Sequence, residues 1–219
     1  MKIGIIGAGN IGGNLTRRFI AVGHEVSVAN SRGPATLQDL VDETGATAVS
    51  VDEVALDADV VVVTIPEKNV PLLPTGFLDG AASDVVVIDT GNYYPQQRDG
   101  VIDEIENGAT ESRWVSDQIG FPVVKAFNNI YAAHLLSDAK PQGAEDRRAL
   151  PVAGDDERAK RVVMDLINEI GFDAVDAGGL DDSWRFEPAS PAYGFVGRAD
   201  ALRVALSEAV HVRKPEFRA

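Results

Sequence analysis

Lys2-Ile3-Gly4-Ile5-Ile6-Gly7-Ala8-Gly9-Asn10-Ile11-Gly12 opens the chain and decides how the remainder is read. The apolar run reads as a buried strand, and three glycines close it at the spacing G-x-G-x-x-G. Leu15, Phe19 and Val22 then recur at helical spacing, and Glu25-Val26-Ser27-Val28-Ala29 is β-branched and extended. Strand, glycine turn, helix and strand form the context in which the motif implies a dinucleotide site, spanning Gly7, Ala8, Gly9, Asn10, Ile11 and Gly12. Gly7 permits the tight turn, Gly9 lets backbone approach a pyrophosphate, and Gly12 lets helix and strand pack closely. The helix that starts near Asn10 aims free N–H groups and its positive end at the phosphates.

The end of the second strand bears on which dinucleotide binds. A carboxylate there would hold a ribose 2′-hydroxyl and repel a 2′-phosphate. The chain instead has Asn30-Ser31-Arg32, all able to donate hydrogen bonds, and Arg32 can also stack on an adenine. This pattern implies NADP(H). The same residues can also turn the chain into the next helix, with Pro34 at its first position, and the two roles are compatible.

At 219 residues, with 45% hydrophobic and 25% charged residues, the chain has the composition of a soluble globular protein. A net charge of −14 argues against nucleic acid or an anionic membrane surface as partner. It also gives weight to a local cation such as Arg32, because an anionic cofactor must be drawn in against the overall field. Without cysteine there is no disulfide, thiolate nucleophile or cysteine-ligated metal, and no metal site is expected. No stretch has the length of a membrane helix, so a cytoplasmic location is expected.

Strand and helix alternate along the chain. A helix follows Pro34, a short strand is expected around 46–50, and a small helix at 52–56. Val60-Val61-Val62-Val63-Thr64-Ile65 reads as a central parallel strand buried on both faces and ended by Pro66. Short turns broken by Pro71 and Pro74 follow, then a strand at 85–89. In the second half, 123–130 reads as a strand entering a loop, with a helical stretch from Ala132. A strand at 150–154, a helix capped by Asp155-Asp156 and running to Ile170, a strand at 172–177 and a helix within 195–210 complete the pattern. The polar stretch 137–148 reads as a mobile surface loop. The expected fold is α/β, a Rossmann-type doubly wound and mainly parallel sheet with a small α/β C-terminal portion. Residues 1–120 would form the NADP-binding domain, and 121–219 a smaller portion that completes an acceptor pocket.

The chain resembles the coenzyme F420-dependent NADP oxidoreductase family along nearly its whole length. The resemblance rests on Gly7–Gly12, Ser31-Arg32, Thr64-Ile65-Pro66, Val152-Ala153-Gly154-Asp155-Asp156, Arg161-Val162-Val163-Met164 and Asp176-Ala177-Gly178. It implies hydride exchange between NADPH and a deazaflavin stacked on the nicotinamide, and a homodimer. Thr64, Ile65 and Pro66 would then border the nicotinamide, and Ala126, Phe127, Asn128 and Ile130 would line the acceptor pocket. Asn128 stands where deazaflavin-reducing members carry His, and Lys125-Ala126-Phe127-Asn128 is closer to the NADPH-binding part of ferric reductases that use ordinary flavin. The resemblance therefore leaves F420 and FMN or FAD both open as acceptor.

Hydride transfer between stacked rings needs orientation and exclusion of water more than an acid–base constellation. Asn128 could donate a hydrogen bond to an acceptor carbonyl, or close a loop with Asn129. Direct reduction of a small carbonyl, imine or quinone is the second reading, and Tyr94, Tyr131 or His134 would be its proton donor. A third reading is a non-catalytic NADP(H)-sensing module. His24 and His211 read as surface residues, and the pairs Asp155-Asp156 and Asp181-Asp182 as caps or turns. Trp184, Phe186, Tyr193 and Phe195 could cover the pocket, form a dimer contact or fill the core. If Arg32 binds the 2′-phosphate, Arg32→Ala should cut the ratio of NADPH to NADH affinity by roughly tenfold to a hundredfold, measured as dissociation constants.

Overall fold

The valine run at 60–63 is the strand that both halves of the sheet share. In the computed structural model, which describes residues 1–219, β1 (Lys2–Ile6), β2 (Glu25–Ala29), β3 (Thr47–Ala48), β4 (Val60–Val63), β5 (Val86–Asp89) and β6 (Val123–Lys125) form one parallel sheet. Its order is β3-β2-β1-β4-β5-β6, and the direction of winding reverses between β1 and β4. That reversal opens a crevice at the carboxyl ends of the strands, where ligands of such sheets bind. Alternate valines serve opposite faces. Val60 and Val62 join Ile3, Ile5, Val26 and Val28 in one core cluster, while Val61 and Val63 join Ile6 and Val87 in the other. Both faces being buried is why the strands read as continuous apolar runs.

The helices α1 (Asn10–Ala21), α2 (Gln38–Thr44), α3 (Asp103–Glu106) and α4 (Glu111–Ile119) belong to this first sheet. Beyond β6 come α5 (His134–Ser137), β7 (Ala149–Val152), α6 (Glu157–Glu169), β8 (Asp173–Asp176) and α7 (Ala199–Ser207). β7 and β8 pair in parallel as a second, two-stranded sheet. An antiparallel bridge ties it to the edge of the first, with Lys125 N donating to Ala153 O at 2.8 Å and Ala153 N to Lys125 O at 3.1 Å. Val163, Leu166 and Ile167 of α6 lie in the same core cluster as Ile3 and Ile5. Leu202, Ala205 and Leu206 of α7 close the far side over Ala149 and Val175. Asp156 caps α6 by accepting from the N–H groups of Arg158 and Ala159. No helix is long and apolar enough to cross a membrane.

Several local expectations change. The segment expected as a small helix at 52–56 forms turns: the Val54 carbonyl lies so close to β1 that a Cβ at Gly4 would stand 2.3 Å from it. The strand expected around 46–50 shortens to two residues, and the run 60–65 leaves the ladder after Val63. The final helix occupies only Ala199–Ser207 of its expected window. The stretch 137–148 is tied down, not loose. Lys140 N donates to Gly171 O, and the buried Arg147 pairs with Asp173 at 2.6 Å while Arg148 pairs with Asp138 at 3.0 Å.

The glycine turn depends on missing side chains. Gly7 has φ +108°, and a Cβ there would meet Thr64 O at 2.2 Å. A Cβ on Gly12 would stand 1.8 Å from Gly7 O, whereas one on Gly9 would meet nothing within 4 Å. Gly12→Ala should therefore destabilise the fold by about 1–3 kcal/mol or prevent folding, as expected for backbone overpacking. Gly9→Ala should unfold within roughly 0.5 kcal/mol of the parent in the same denaturant titration.

Candidate functional site

The empty space at Gly9 lies between two hollows that meet at the glycine turn. One, of about 330 Å³, runs from Ala8, Gly9 and Asn10 past Asn14 and Arg17 to Arg32, Thr36 and Glu43. Asn30 shapes its far end: its Oδ1 accepts from Arg32 N at 2.9 Å, and its Nδ2 donates to the Thr36 hydroxyl at 2.9 Å. The Asn30 side chain thus organises the turn, while Ser31 and Arg32 are exposed beside the hollow. Arg17, unnoticed in the sequence, also faces this hollow, but Glu43 engages it through Nε at 2.7 Å and Nη2 at 2.5 Å. Arg32 lines the same hollow. The glycine with room beside it, the uncapped start of α1 and this arginine fit an NADP(H) molecule.

The other hollow, also about 330 Å³, lies across the carboxyl ends of β1, β4, β5 and β6. Gly9, Asn10 and Ile11 form one side, Thr64, Ile65 and Pro66 the next, and Thr90, Gly91 and Asn92 the floor. Phe127, Asn128, Ile130 and Tyr131 face it from the loop after β6, and Tyr94, Arg98 and Tyr193 close it. A nicotinamide entering past Gly9 would reach this cleft. A hollow of about 530 Å³ at the amino ends of β5 and β6 has no such glycine turn.

The loop after β6 is held in an unusual conformation. Phe127 is fully buried with φ +64°, a region that costs a non-glycine residue about 1–2 kcal/mol. Beyond it, Asn128 Nδ2 donates to Asn92 Oδ1 at 3.1 Å and to Phe186 O at 2.9 Å, and Asn92 Nδ2 returns a bond to Asn128 O at 3.0 Å. Both amide hydrogens of Asn128 are committed, so the donor role expected for it is not available. What remains is Oδ1, buried and without a partner. Asn14 anchors the same loop from α1 by donating to Ala132 O at 2.7 Å.

Other expected residues are placed elsewhere. Ala126 is fully buried in the core and does not reach the cleft. His134 stands outside it, its Nδ1 2.9 Å from Arg148 Nη1 and 3.5 Å from Asp138, with its ring edge against Tyr131. His24 pairs with Glu169 at 2.8 Å, and His211 stacks on Trp184 at 4.7 Å. The aromatic segment separates: Phe186 is core, Trp184 lies between His211 and Arg185, and Tyr193 alone reaches the cleft. Asp155 and Asp181 both hold Arg113, at 2.8 and 2.7 Å.

A buried ionic cluster below the cleft floor had no sequence signal. Lys125, fully buried, donates to Asp89 Oδ2 at 3.1 Å and Gly91 O at 2.7 Å, and lies 3.8 Å from Glu111. Arg213, from the C-terminal tail, reaches Glu111 at 3.2 Å and Glu187 at 3.4 Å. Glu67 is fully buried beneath Gly91, and neither of its carboxyl oxygens has a partner. Four carboxylates thus share two cations, so protons must make up the difference. Burial, reinforced by Glu187, pushes Glu111 to about 8. Burial and then Asp89 push Glu67 well above the usual carboxylate range. Burial alone would lower Lys125, but Asp89, Glu111, Glu67 and Glu187 outweigh it, and the lysine stays charged. Only folding brings these residues together, since they stand on strands, helices and tail far apart in the chain.

Residues 2–93 match the model of the family "NADP oxidoreductase coenzyme F420-dependent". The structure of a hypothetical protein from Sinorhizobium meliloti superimposes with a TM-score of 0.76, at 32% identity, covering 90% of this chain and 94% of that one. A protein from an Arthrobacter species assigned as an F420-dependent NADP reductase shares the fold, with a TM-score of 0.68, 22% identity and coverage of 84% and 87%. The 3-sulfolactaldehyde reductase of Escherichia coli is 25% identical over 154 residues, covering 68% of this chain and 49% of the relative. The chain spans 39%, 49% and 53% of the length of three curated relatives that it matches.

The buried acids make stability depend on pH in a definite sense. A carboxyl group whose pKa is raised by folding binds more protons in the native state, so stability falls as pH rises from about 4.5 toward the raised value. Glu67→Gln removes one such demand without changing shape. It should leave Tm near that of the parent at pH 5 and raise it by about 3–6 °C at pH 9, measured by thermal melts.

Proposed function

Because the chain belongs to the coenzyme F420-dependent NADP oxidoreductase family, we propose that it is an NADPH-dependent oxidoreductase that passes hydride to the ring of a deazaflavin or flavin. The observation that carries this reading is the junction of the two hollows at Gly9, which leads from the Arg32 groove to the cleft over β4, β5 and β6. Gly9, Asn10 and the start of α1 hold the pyrophosphate, and Arg32 holds the 2′-phosphate. Thr64, Ile65 and Pro66 border the nicotinamide, and Asn128 stands in the opposite wall of the cleft. Bound NADPH supplies the hydride. The protein's part is to hold two rings together and exclude water, and Ile130 and Ile65 supply an apolar surface for that.

One observation favours the second reading, direct reduction of a small carbonyl or imine. The cleft is lined by Tyr94, Tyr131 and Tyr193, and direct reduction of a carbonyl or imine needs a proton donor of this kind. The similarity to 3-sulfolactaldehyde reductase supports it as well.

The deciding experiment is anaerobic. Purified protein and NADPH are mixed separately with oxidised F420, FMN, FAD and a panel of small aldehydes and cyclic imines, following the loss of each chromophore. Turnover with F420 or a free flavin is the expected result. Turnover confined to an aldehyde or imine transfers the assignment to the second reading, and tight NADPH binding without any turnover removes both.

A further inference from the structure

Three of the four tyrosines, Tyr94, Tyr131 and Tyr193, line the cleft. The hydroxyls of Tyr94 and Tyr193, 99 residues apart in sequence, are hydrogen-bonded to each other. In such a pair one hydroxyl donates, and the other keeps a proton that no protein atom accepts. Arg98 sets the direction. Its guanidinium lies 5.3 Å from the centroid of the Tyr94 ring. It is fixed by a fork onto Asp99, with Nε to Oδ1 at 2.9 Å and Nη2 to Oδ2 at 2.8 Å, and by a bond from Nη2 to Asn92 O. Asp99 is held in turn by Tyr94 N at 2.8 Å. A cation over one ring and not the other makes the Tyr94 oxygen the better place for negative charge. Tyr94 is therefore the stronger acid of the pair, and when it gives up its proton Tyr193 is placed to donate to the oxygen left behind.

We propose that Tyr94, backed by Tyr193, is the acid that protonates the acceptor after it has received hydride; this rests on the oxidoreductase reading above. The acceptor gains hydride from NADPH, which leaves as NADP⁺, and its negative charge settles on an oxygen or nitrogen. The Tyr94 O–H bond breaks as the new O–H or N–H bond forms on that atom. The Tyr193 proton passes to the Tyr94 oxygen, and solvent returns a proton to Tyr193. The substrate class follows: an acceptor whose reduced form carries charge on oxygen or nitrogen, as a flavin, deazaflavin, carbonyl or imine does. Burial holds both phenols up, so each keeps its proton at neutral pH until the acceptor demands one. Arg98, Glu111 and Tyr131 also act on Tyr94, and Phe217 of the tail packs against its ring at 6.4 Å.

The test compares the parent with Tyr94→Phe and Tyr193→Phe, using NADPH and whichever acceptor turns over fastest. Tyr94→Phe should lose about 10²–10⁴-fold in kcat, keep its KM for NADPH and lose the solvent deuterium isotope effect. Tyr193→Phe should lose less and move the alkaline limb of kcat upward, because Tyr94 no longer receives a donated hydrogen bond. Alkaline titration of tyrosinate absorbance provides a readout without turnover: Tyr193→Phe should raise a midpoint that Tyr94→Phe abolishes. Unchanged kcat and isotope effect in Tyr94→Phe, or a titration unmoved by Tyr193→Phe, overturns the proposal while the oxidoreductase reading stands. A parent protein that binds NADPH but reduces no acceptor overturns both.

Discussion

Backbone contact without intervening side chains, at Gly7 and Gly12, sets the geometry on which the rest of the structure depends. The turn after β1 lies against the Thr64 carbonyl, and α1 lies against the Gly7 carbonyl, so no Cβ fits at either position. That contact brings the start of α1 and the end of β4 to the same edge of the sheet. Gly9, between them, has open space instead of a neighbour, and the two hollows join there. The same three-glycine spacing therefore serves two physical purposes, tight packing at its ends and a vacant cradle in its middle.

Below the cleft, Lys125 solves a different problem. Its backbone forms the bridge that attaches the small β7–β8 sheet to the edge of the large one, while its side chain neutralises carboxylates under the floor. A buried charge set of this kind adds little net stability, but removing one partner strands another in low dielectric. Lys125 therefore acts as a positioning residue for the floor at Gly91, and nothing in its surroundings gives it access to the cleft. The cost of the arrangement appears as protons retained by Glu67 and Glu111, so the stability of the scaffold and the polarity beneath the ligand are linked through pH.

The side of the cleft after β6 is built from strain and long-range hydrogen bonds more than from one motif. Phe127 in a left-handed conformation turns the chain so that Asn128 meets Asn92 and the Phe186 carbonyl, which joins the loop after β6 to the C-terminal portion. Opposite it, Arg98, Asp99, Tyr94 and Tyr193 form a polar wall in which every member is held by another. Fixed donors of this kind suit a reaction that must handle charge on the acceptor, because they need no rearrangement as the charge develops.

The dinucleotide half was legible because its signals are local. Glycine spacing, the β-branched run at 60–63 and the absence of a carboxylate at 30–32 each depend on neighbours in sequence, and strand order follows from their alternation with helices. The cap at Asp156 was legible for the same reason. Residues 103–119 were not, since α4 buries Glu111 and Ser112 beside Trp114 and Val115, and polar core positions erase the apolar period. Nor could sequence reveal that Asn128 spends its amide hydrogens on Asn92 and Phe186, that 137–148 is pinned by arginines, or that Tyr193 meets Tyr94. Those contacts join segments tens of residues apart, and their chemistry depends on burial and direction, which exist only once the chain has folded.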